Sequence, residues 1–251
     1  MRHTNGWISI PSSRLFLVGN GPSLRDTDLE LLIGEESWGS GRIDLIYPRT
    51  NWRPTRAFWG EWPKGQKDYD SILAHFEEGY PYWMRRDAAL SLTIKYSPFD
   101  LPSVPLSNWK FQLPLRFPDQ VVTYDWCGSR HAGMLQDRPA DNVPTTWHLP
   151  ELCRFGSTMH IMLQQAVLEG HKEIYLIGND LEFTPGHDNY FDSGYQLRDW
   201  DDRRARLFNK THVYAHEIAR KYAIAAGVSI YNATIGGSLE VYPRVDYNSL
   251  F

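Results

Sequence analysis

The chain has 251 residues, of which 42% are hydrophobic and 14% aromatic, and its formal net charge at pH 7 is −4. This length suits one α/β domain spanning residues 1–251, and the aromatic content can supply a sizeable core. Because there is no excess of basic residues, the composition disfavours a nucleic-acid partner.

The number of cysteines and the hydropathy of the chain indicate the cellular compartment in which the protein is expected. Only two cysteines occur, Cys127 and Cys153, and they form no Cys-x-x-Cys pair. We interpret them as buried thiols of a reducing compartment, not as a disulfide framework. No signal-peptide core and no apolar run of membrane-spanning length is found. We expect a cytoplasmic protein without a transmembrane segment; a homo-oligomer is compatible with the sequence.

Compact apolar runs predict the first strands. Arg14–Gly19 is apolar enough to be buried on both faces, as in a parallel sheet. Ile43–Tyr47, which ends at Pro48, and Arg56–Gly60 are the next strand candidates, and Tyr82–Met84 is another. Proline and aromatic residues dominate residues 61–150, which we interpret as a possible loop-rich insertion.

The C-terminal part is easier to assign. Apolar residues at i, i+3, i+4 and i+7 predict an amphipathic helix over Thr158–Glu169, followed by a strand over Glu173–Gly178. A second helix with one apolar face runs through residues 207–222, and Val228–Asn232 is the last strand. Alternating strands and helices predict an α/β fold, a Rossmann-like and mostly parallel sheet flanked by helices.

Ligands of such sheets bind beyond the carboxyl ends of the strands, and the first such end is rich in glycine. Gly19, Asn20 and Gly21 follow the first strand, and Ser23 with Asp26 resembles a capping box that opens a helix. A phosphate could bind there, although an ordinary strand-to-helix turn explains the same residues equally well.

Two other places carry polar residues at the same predicted edge. Ser157 and Thr158 start a helix, where they could act as N-caps or donate hydrogen bonds to a ligand. Gly178, Asn179 and Asp180 follow a buried strand, and the polar stretch of residues 183–202 is a candidate lid.

Histidines are the candidates for a general base and for metal ligation. His187, His212 and His216 qualify as bases because imidazole titrates near neutral pH. His212 and His216 are one helical turn apart and could mimic a metal pair, but surface histidines are the favoured interpretation. His187 with Asp180 and Asp188 lacks diagnostic metal-site spacing, so we expect no metal site.

Several motifs together resemble a known family. Residues 19–24, Gly-Asn-Gly-Pro-Ser-Leu, resemble the N-terminal motif of small bacterial sialyltransferases that use CMP-activated donors. Ser157-Thr158 and residues 170–180 resemble the second conserved block of that family. Residues 231–246 resemble a wider group that includes flagellin glycosyltransferases and 6-hydroxymethylpterin diphosphokinases. The matches cover about a third of the chain.

This resemblance implies a GT-A-like variant that transfers a nonulosonic acid, such as sialic acid, from a CMP-sugar to a glycan hydroxyl, without a metal cofactor. It implies that Asn20 and Gly21 contact the donor phosphate and that Asn51 is the next polar donor contact. Ser157 and Thr158 would line the nucleotide site, and Tyr190 would contact the phosphate of the leaving CMP. The ribose would lie near Asp180 and its neighbours Gly178 and Asn179.

The general base and the reaction itself stay open at this point. The family's catalytic histidine has no clean counterpart around Trp200, which leaves His187, His212 or Asp201 as the base. An alternative is an ATP- and magnesium-dependent diphosphokinase of the 6-hydroxymethylpterin type, with carboxylates holding the metal. A third is a non-catalytic sugar- or nucleotide-binding module. The carboxylates of the alternative are Asp180, Asp188, Asp201 and Asp202.

Overall fold

A computed structural model describes residues 14–60, 66–85, 121–126, 151–152, 157–195 and 200–251. Eight strands form one sheet in the order β6-β5-β4-β3-β2-β1-β7-β8, and every strand pair is parallel. The strands are β1 Arg14–Val18, β2 Ser37–Ser40, β3 Arg56–Trp59, β4 Tyr82–Arg85, β5 Val121–Trp126, β6 Glu151–Leu152, β7 Glu173–Ile177 and β8 Ser229–Asn232. The described α-helices are α1 Gln66–Glu77, α2 Thr158–Glu169 and α3 Asp202–Ala225. This is the predicted α/β, Rossmann-like architecture.

Strand β1 lies inside the sheet, between β2 and β7, and is covered on both faces. Leu15 and Leu17 pack with α2 and α3 in one apolar layer, and Phe16 and Val18 belong to the layer on the opposite face. All four side chains are fully buried. A third apolar cluster places α1 against β3 and β4. Because both faces of β1 are buried, its sequence is a continuous apolar run and does not alternate between apolar and polar residues.

Helix α2 has the predicted bounds, but it does not have the solvent-facing polar side expected of an amphipathic helix. Every residue from Met159 to Ala166 is buried, so this part of α2 is enclosed on all sides and α2 is not an amphipathic surface helix. It ends at Gly170, whose left-handed conformation (φ 89°) is the usual C-terminal stop. Helix α3 packs beside it in the same layer.

The second predicted strand is wrong. Residues Ile43–Arg49 form a 3-10 helix in which Ile43 and Ile46 are buried, a spacing of three instead of two. The strand beside β1 is Ser37–Ser40, which contains one large apolar residue, Trp38. A Cβ on Gly39 would lie 2.8 Å from Ile43 Cγ2, so small residues in β2 allow the helical turn to pack closely. A strand with a single large apolar residue is not found by a search for apolar runs.

The middle of the chain contributes to the sheet. Within residues 61–150, the described segments form α1, β4 and β5, which extend the sheet on the β3 side. Tyr82–Met84, predicted as a strand, lies in β4. Both cysteines lie outside the described residues. None of the helices in the described part of the chain combines the length and hydropathy needed to cross a membrane.

Candidate functional site

The sheet order reverses between β1 and β7, and the loops that follow these two strands meet there. The Gly19 N–H donates to Ile177 O (2.8 Å), and the Gly21 N–H donates to Gly178 O (2.8 Å). A Cβ on Gly19 would lie 2.5 Å from Gly178 O. These glycines of the predicted phosphate motif are therefore required by the contact between the two loops. Ligands of open parallel sheets bind at this kind of switch point.

A side-chain contact joins the same loops. Asp180 Oδ1 accepts from the Ser23 backbone N–H (3.0 Å), and Oδ2 accepts from the Ser23 hydroxyl (2.8 Å). Burial raises the pKa of Asp180, and the hydrogen bonds from Ser23 oppose that rise. The capping box predicted for Ser23 and Asp26 is wrong. Residues Pro22–Arg25 form only a 3-10 turn, and Gly21 stands at its N-cap.

A cleft of about 210 Å³ opens above these loops, at the carboxyl ends of the central strands. It is lined by the loops after β1, β2, β3 and β7, the start of α2, the candidate lid and one face of α3. The predicted site residues that line it are Gly19, Asn20, Gly21, Ser157, Thr158, Gly178, Asn179, Asp180, Tyr190 and His212. Ser23 is buried behind Asp180 and reaches the cleft only through that carboxylate.

Besides Ser23, three predicted site residues are not part of the cleft lining. Asn51 follows the 3-10 helix, and its backbone N–H and side chain contact the exposed carboxylate of Glu30. His187 is exposed on the candidate lid. Asp201 is the N-cap of α3, where its carboxylate accepts from the Arg204 N–H at 2.7 Å. The structure thus assigns Asp201 a helix-capping role.

Several polar atoms that line the cleft have no hydrogen-bond partner in the protein. In the described part of the chain, these buried atoms are Asn20 Oδ1, Arg42 Nε, Asn179 Nδ2 and Trp200 Nε1. Asn20 donates from Nδ2 to the Ser40 carbonyl (2.8 Å) and hydroxyl (2.9 Å), which fixes the direction of its amide oxygen. Buried polar groups are normally paired, because an unmet hydrogen bond is costly. Their convergence on one cleft indicates a polar ligand.

The candidate lid is docked against the β1 and β2 loops. The Phe191 N–H donates to Asn20 O (3.1 Å), and Arg42 Nη1 donates to Gly194 O (2.8 Å). Tyr190 and Tyr195 stack with ring centroids 4.3 Å apart at the cleft wall. Arg25 donates to the carbonyls of Tyr190 and Phe191, and it pairs with Asp188 on the exposed side. Residues 196–199 lie outside the described part.

His212 is the predicted base candidate that lies in the cleft. Its side chain is 6% exposed and its ring centroid lies 3.8 Å from that of Phe208. Phe183 and Trp200 complete this aromatic wall, with ring centroids 4.7 Å apart. His216, one turn later, is 1% exposed. The interpretation of both as surface histidines is wrong, because α3 turns them towards the interior.

A row of buried polar side chains lies behind the cleft. Ser157 Oγ lies 3.3 Å from His160 Nδ1, the His160 and His216 rings are 4.8 Å apart, and His216 Nδ1 lies 3.1 Å from the Tyr242 hydroxyl. Burial lowers the pKa of His160 to about 4 and lowers that of His216 well below its ordinary value. Ser157 is the N-cap of α2 but makes no capping hydrogen bond, so capping does not account for its hydroxyl.

The described residues include no group of three or more His, Cys, Asp or Glu side chains that could hold a metal ion. The carboxylates considered for magnesium have separate local contacts. Asp180 contacts Ser23, Asp188 pairs with Arg25, and Asp201 caps α3. Asp202 is exposed in the first turn of the same helix.

The sequence analysis missed the part of the cleft that follows β2. Ser40, Gly41 and Arg42 line it, but the strand before them was placed too late in the chain. The only available signal is the Gly-Ser-Gly-Arg run at residues 39–42, which marks a glycine-bearing strand end. Trp59 and Gly60, at the end of β3, also line the cleft and were predicted only as strand.

Comparison with known proteins gives one structural likeness. The fold is similar to that of the MAf glycosyltransferase from Magnetospirillum magneticum AMB-1, with a TM-score of 0.55 and 18% sequence identity. The likeness covers 95% of this chain and 34% of the other, so the chain spans about a third of that protein's length. No protein-family model matches the sequence, and no curated protein matches it. At this identity the likeness concerns the fold.

Proposed function

We propose that the chain is a glycosyltransferase that takes a CMP-activated nonulosonic acid as donor and transfers the sugar to a glycan hydroxyl. One observation carries the proposal: unsatisfied polar atoms converge on a cleft at the β1–β7 switch point. The fold similarity to a glycosyltransferase and the resemblance of residues 19–24 and 170–180 to sialyltransferase motifs support it.

The donor would lie across the switch point. Asn20 presents an amide oxygen and Asn179 an amide N–H, which suit the edge of a base and the hydroxyls of a ribose. Ser157 and Thr158 add hydroxyls from the start of α2. Tyr190 also lines the cleft, from the candidate lid, and its phenol could stabilise charge on the leaving phosphate.

The reaction needs a base for the acceptor. The acceptor oxygen attacks the anomeric carbon, the bond from that carbon to the phosphate oxygen breaks, and CMP leaves with the electron pair. The acceptor proton passes to a base, for which we propose His212, the candidate base that lines the cleft. His187 is exposed outside the cleft and Asp201 caps α3.

The test is turnover of CMP-N-acetylneuraminate, followed as free CMP, with water or a glycan as acceptor and with chelator present. We expect His212→Gln to lower kcat by about 10²–10⁴-fold with KM little changed, as for loss of a general base. His187→Gln is the matched control and should retain wild-type turnover. Equal losses in both variants would contradict the assignment of the base.

Absence of turnover with retained CMP binding would favour a non-catalytic binding module. Binding of ATP only with magnesium would favour the diphosphokinase.

A further inference from the structure

Arg42 is a buried cation, and no carboxylate in the described part of the chain forms an ion pair with it. Its side chain is 6% exposed and lines the cleft at the end of β2. Nη1 donates to Gly194 O at 2.8 Å, and the guanidinium lies over the Tyr195 ring at 5.7 Å. Nε is buried and has no hydrogen-bond partner. These contacts position the group, and none of them, nor any other contact among the described residues, supplies a negative charge.

The carboxylates near the cleft do not neutralise Arg42. Those in the described part of its lining are Asp68, Asp180 and Glu182, and none forms an ion pair with the guanidinium. Asp180 is occupied by two hydrogen bonds from Ser23. By contrast, Arg25 and Arg49, which also contact the candidate lid, each pair with a carboxylate at its surface. An uncompensated buried charge is costly unless a ligand pairs with it.

We propose that Arg42 is the oxyanion-binding residue of the cleft and pairs with an anionic group of the ligand, a phosphate or a carboxylate. A guanidinium suits both groups, since its planar donors match two oxygens of either anion. The proposed function determines only the identity of the ligand: a CMP-activated nonulosonic acid carries one phosphate and one carboxylate. The oxyanion site itself follows from the burial of Arg42 and from the absence of a described carboxylate that pairs with it.

The experiment compares cytidine, CMP and CMP-N-acetylneuraminate by isothermal titration in chelator buffer. With a phosphate at Arg42, the wild type binds CMP at least about tenfold more tightly than cytidine, and Arg42→Gln reduces this preference to about twofold or less. With the sugar carboxylate there, Arg42→Gln weakens CMP-N-acetylneuraminate by at least about tenfold and leaves CMP unchanged. Either result supports the proposal and identifies the anionic group.

Arg25→Gln is the matched control, because Arg25 also donates to carbonyls of the candidate lid but does not line the cleft. Arg42→Gln affinities that stay within about twofold of the wild type overturn the proposal. Equal losses in Arg25→Gln overturn it too, since they indicate an effect of lid anchoring. If Arg42→Gln does not fold, Arg42→Lys retains the charge without Nε and should show a reduced preference for the anionic ligand.

The proposal and the proposed function can fail separately. If the wild type binds no cytidine compound, the proposed function fails. Inorganic pyrophosphate is then the probe. A rise in melting temperature with pyrophosphate in the wild type but not in Arg42→Gln supports the oxyanion site. No rise in the wild type overturns it.

Discussion

The Asp180 carboxylate accepts two hydrogen bonds from Ser23, and these bonds connect the loop after β7 to the loop after β1. Both carboxylate oxygens accept from Ser23, at 3.0 Å from the backbone N–H and 2.8 Å from the hydroxyl. The residues are 157 positions apart in the chain. Because the cleft is built on these two loops, this contact and the backbone hydrogen bonds of Gly19 and Gly21 together hold Asn20 and Asn179 in place.

Ser23→Ala should loosen this junction. The substitution leaves Asp180 Oδ2 without the hydroxyl donor, so we expect the free energy of unfolding to fall by about 1–2 kcal/mol. Urea unfolding with a circular dichroism readout measures it. Ser229→Ala is the control, since Ser229 is exposed, and it should change stability by less than about 0.5 kcal/mol. Equal effects in the two variants would show that the contact is not stabilising.

Gly21→Ala should separate the same loops by a steric clash. A Cβ at residue 21 would lie 1.7 Å from Asp180 Oδ2, although the backbone φ of −70° would accept alanine. We expect a drop in melting temperature and loss of nucleotide affinity. Gly34→Ala is the comparison: its φ of 92° adds about 1 kcal/mol of strain, but a Cβ there has nothing within 4 Å. Wild-type nucleotide affinity in Gly21→Ala would contradict the close packing.

Asn20→Ala should weaken donor binding, because it removes the amide that faces the cleft and its hydrogen bonds to Ser40. We expect the dissociation constant for CMP to rise by roughly tenfold, measured by isothermal titration. Asn51→Ala serves as the control, since Asn51 contacts Glu30 outside the cleft. The prediction is wrong if Asn51→Ala weakens CMP binding as much as Asn20→Ala does.

The buried histidines behind the cleft should make stability depend on pH. Burial holds the pKa of His160 at about 4, below the value of about 6.5 in an unfolded chain. The unfolded state therefore takes up protons first, and this contribution to stability is present above about pH 6.5 and lost as pH falls towards 4. The shift corresponds to roughly 3 kcal/mol.

His160→Gln should flatten the dependence of unfolding free energy on pH between 7 and 5. His216, whose pKa is also lowered, keeps part of the slope in that variant. The raised pKa of Asp180 has the opposite effect on the unfolding free energy at low pH, and this effect is the same in the wild type and in His160→Gln. Chemical denaturation at several pH values gives the two curves. Parallel curves would mean that His160 is not buried in its neutral form.

The pattern of apolar residues in the sequence correctly predicted those elements in which successive residues are buried. Strands β1 and β7 are dense apolar runs, helix α2 shows helical apolar periodicity, and each is followed by glycine, so their bounds follow from local signals. Strand β2 has Ser37 and Ser40 at its ends and depends on the close approach of Ile43, which no local pattern reveals.

The candidate site was predictable in part for the same reason. Asn20 and Asp180 stand directly after apolar strands, where parallel sheets bind ligands. Arg42 follows a strand with a single large apolar residue, and the burial of its Nε without a hydrogen-bond partner is a property of the folded cleft that the sequence does not show. The apolar face predicted for α3 does not include His212 and His216, and their burial depends on how the helix packs.

We propose that the cleft at the β1–β7 switch point binds a CMP-activated donor. The most direct measurement is the melting temperature of the full chain with CMP, UDP, GDP or ATP, each with magnesium and with chelator. A ligand that binds only the folded state stabilises it by RT ln(1 + [L]/Kd), about 2.7 kcal/mol at 100 times Kd. We predict a rise with CMP that is the same with chelator and is lost in Asn20→Ala. No rise with CMP, or a rise only with ATP and magnesium, would contradict the claim.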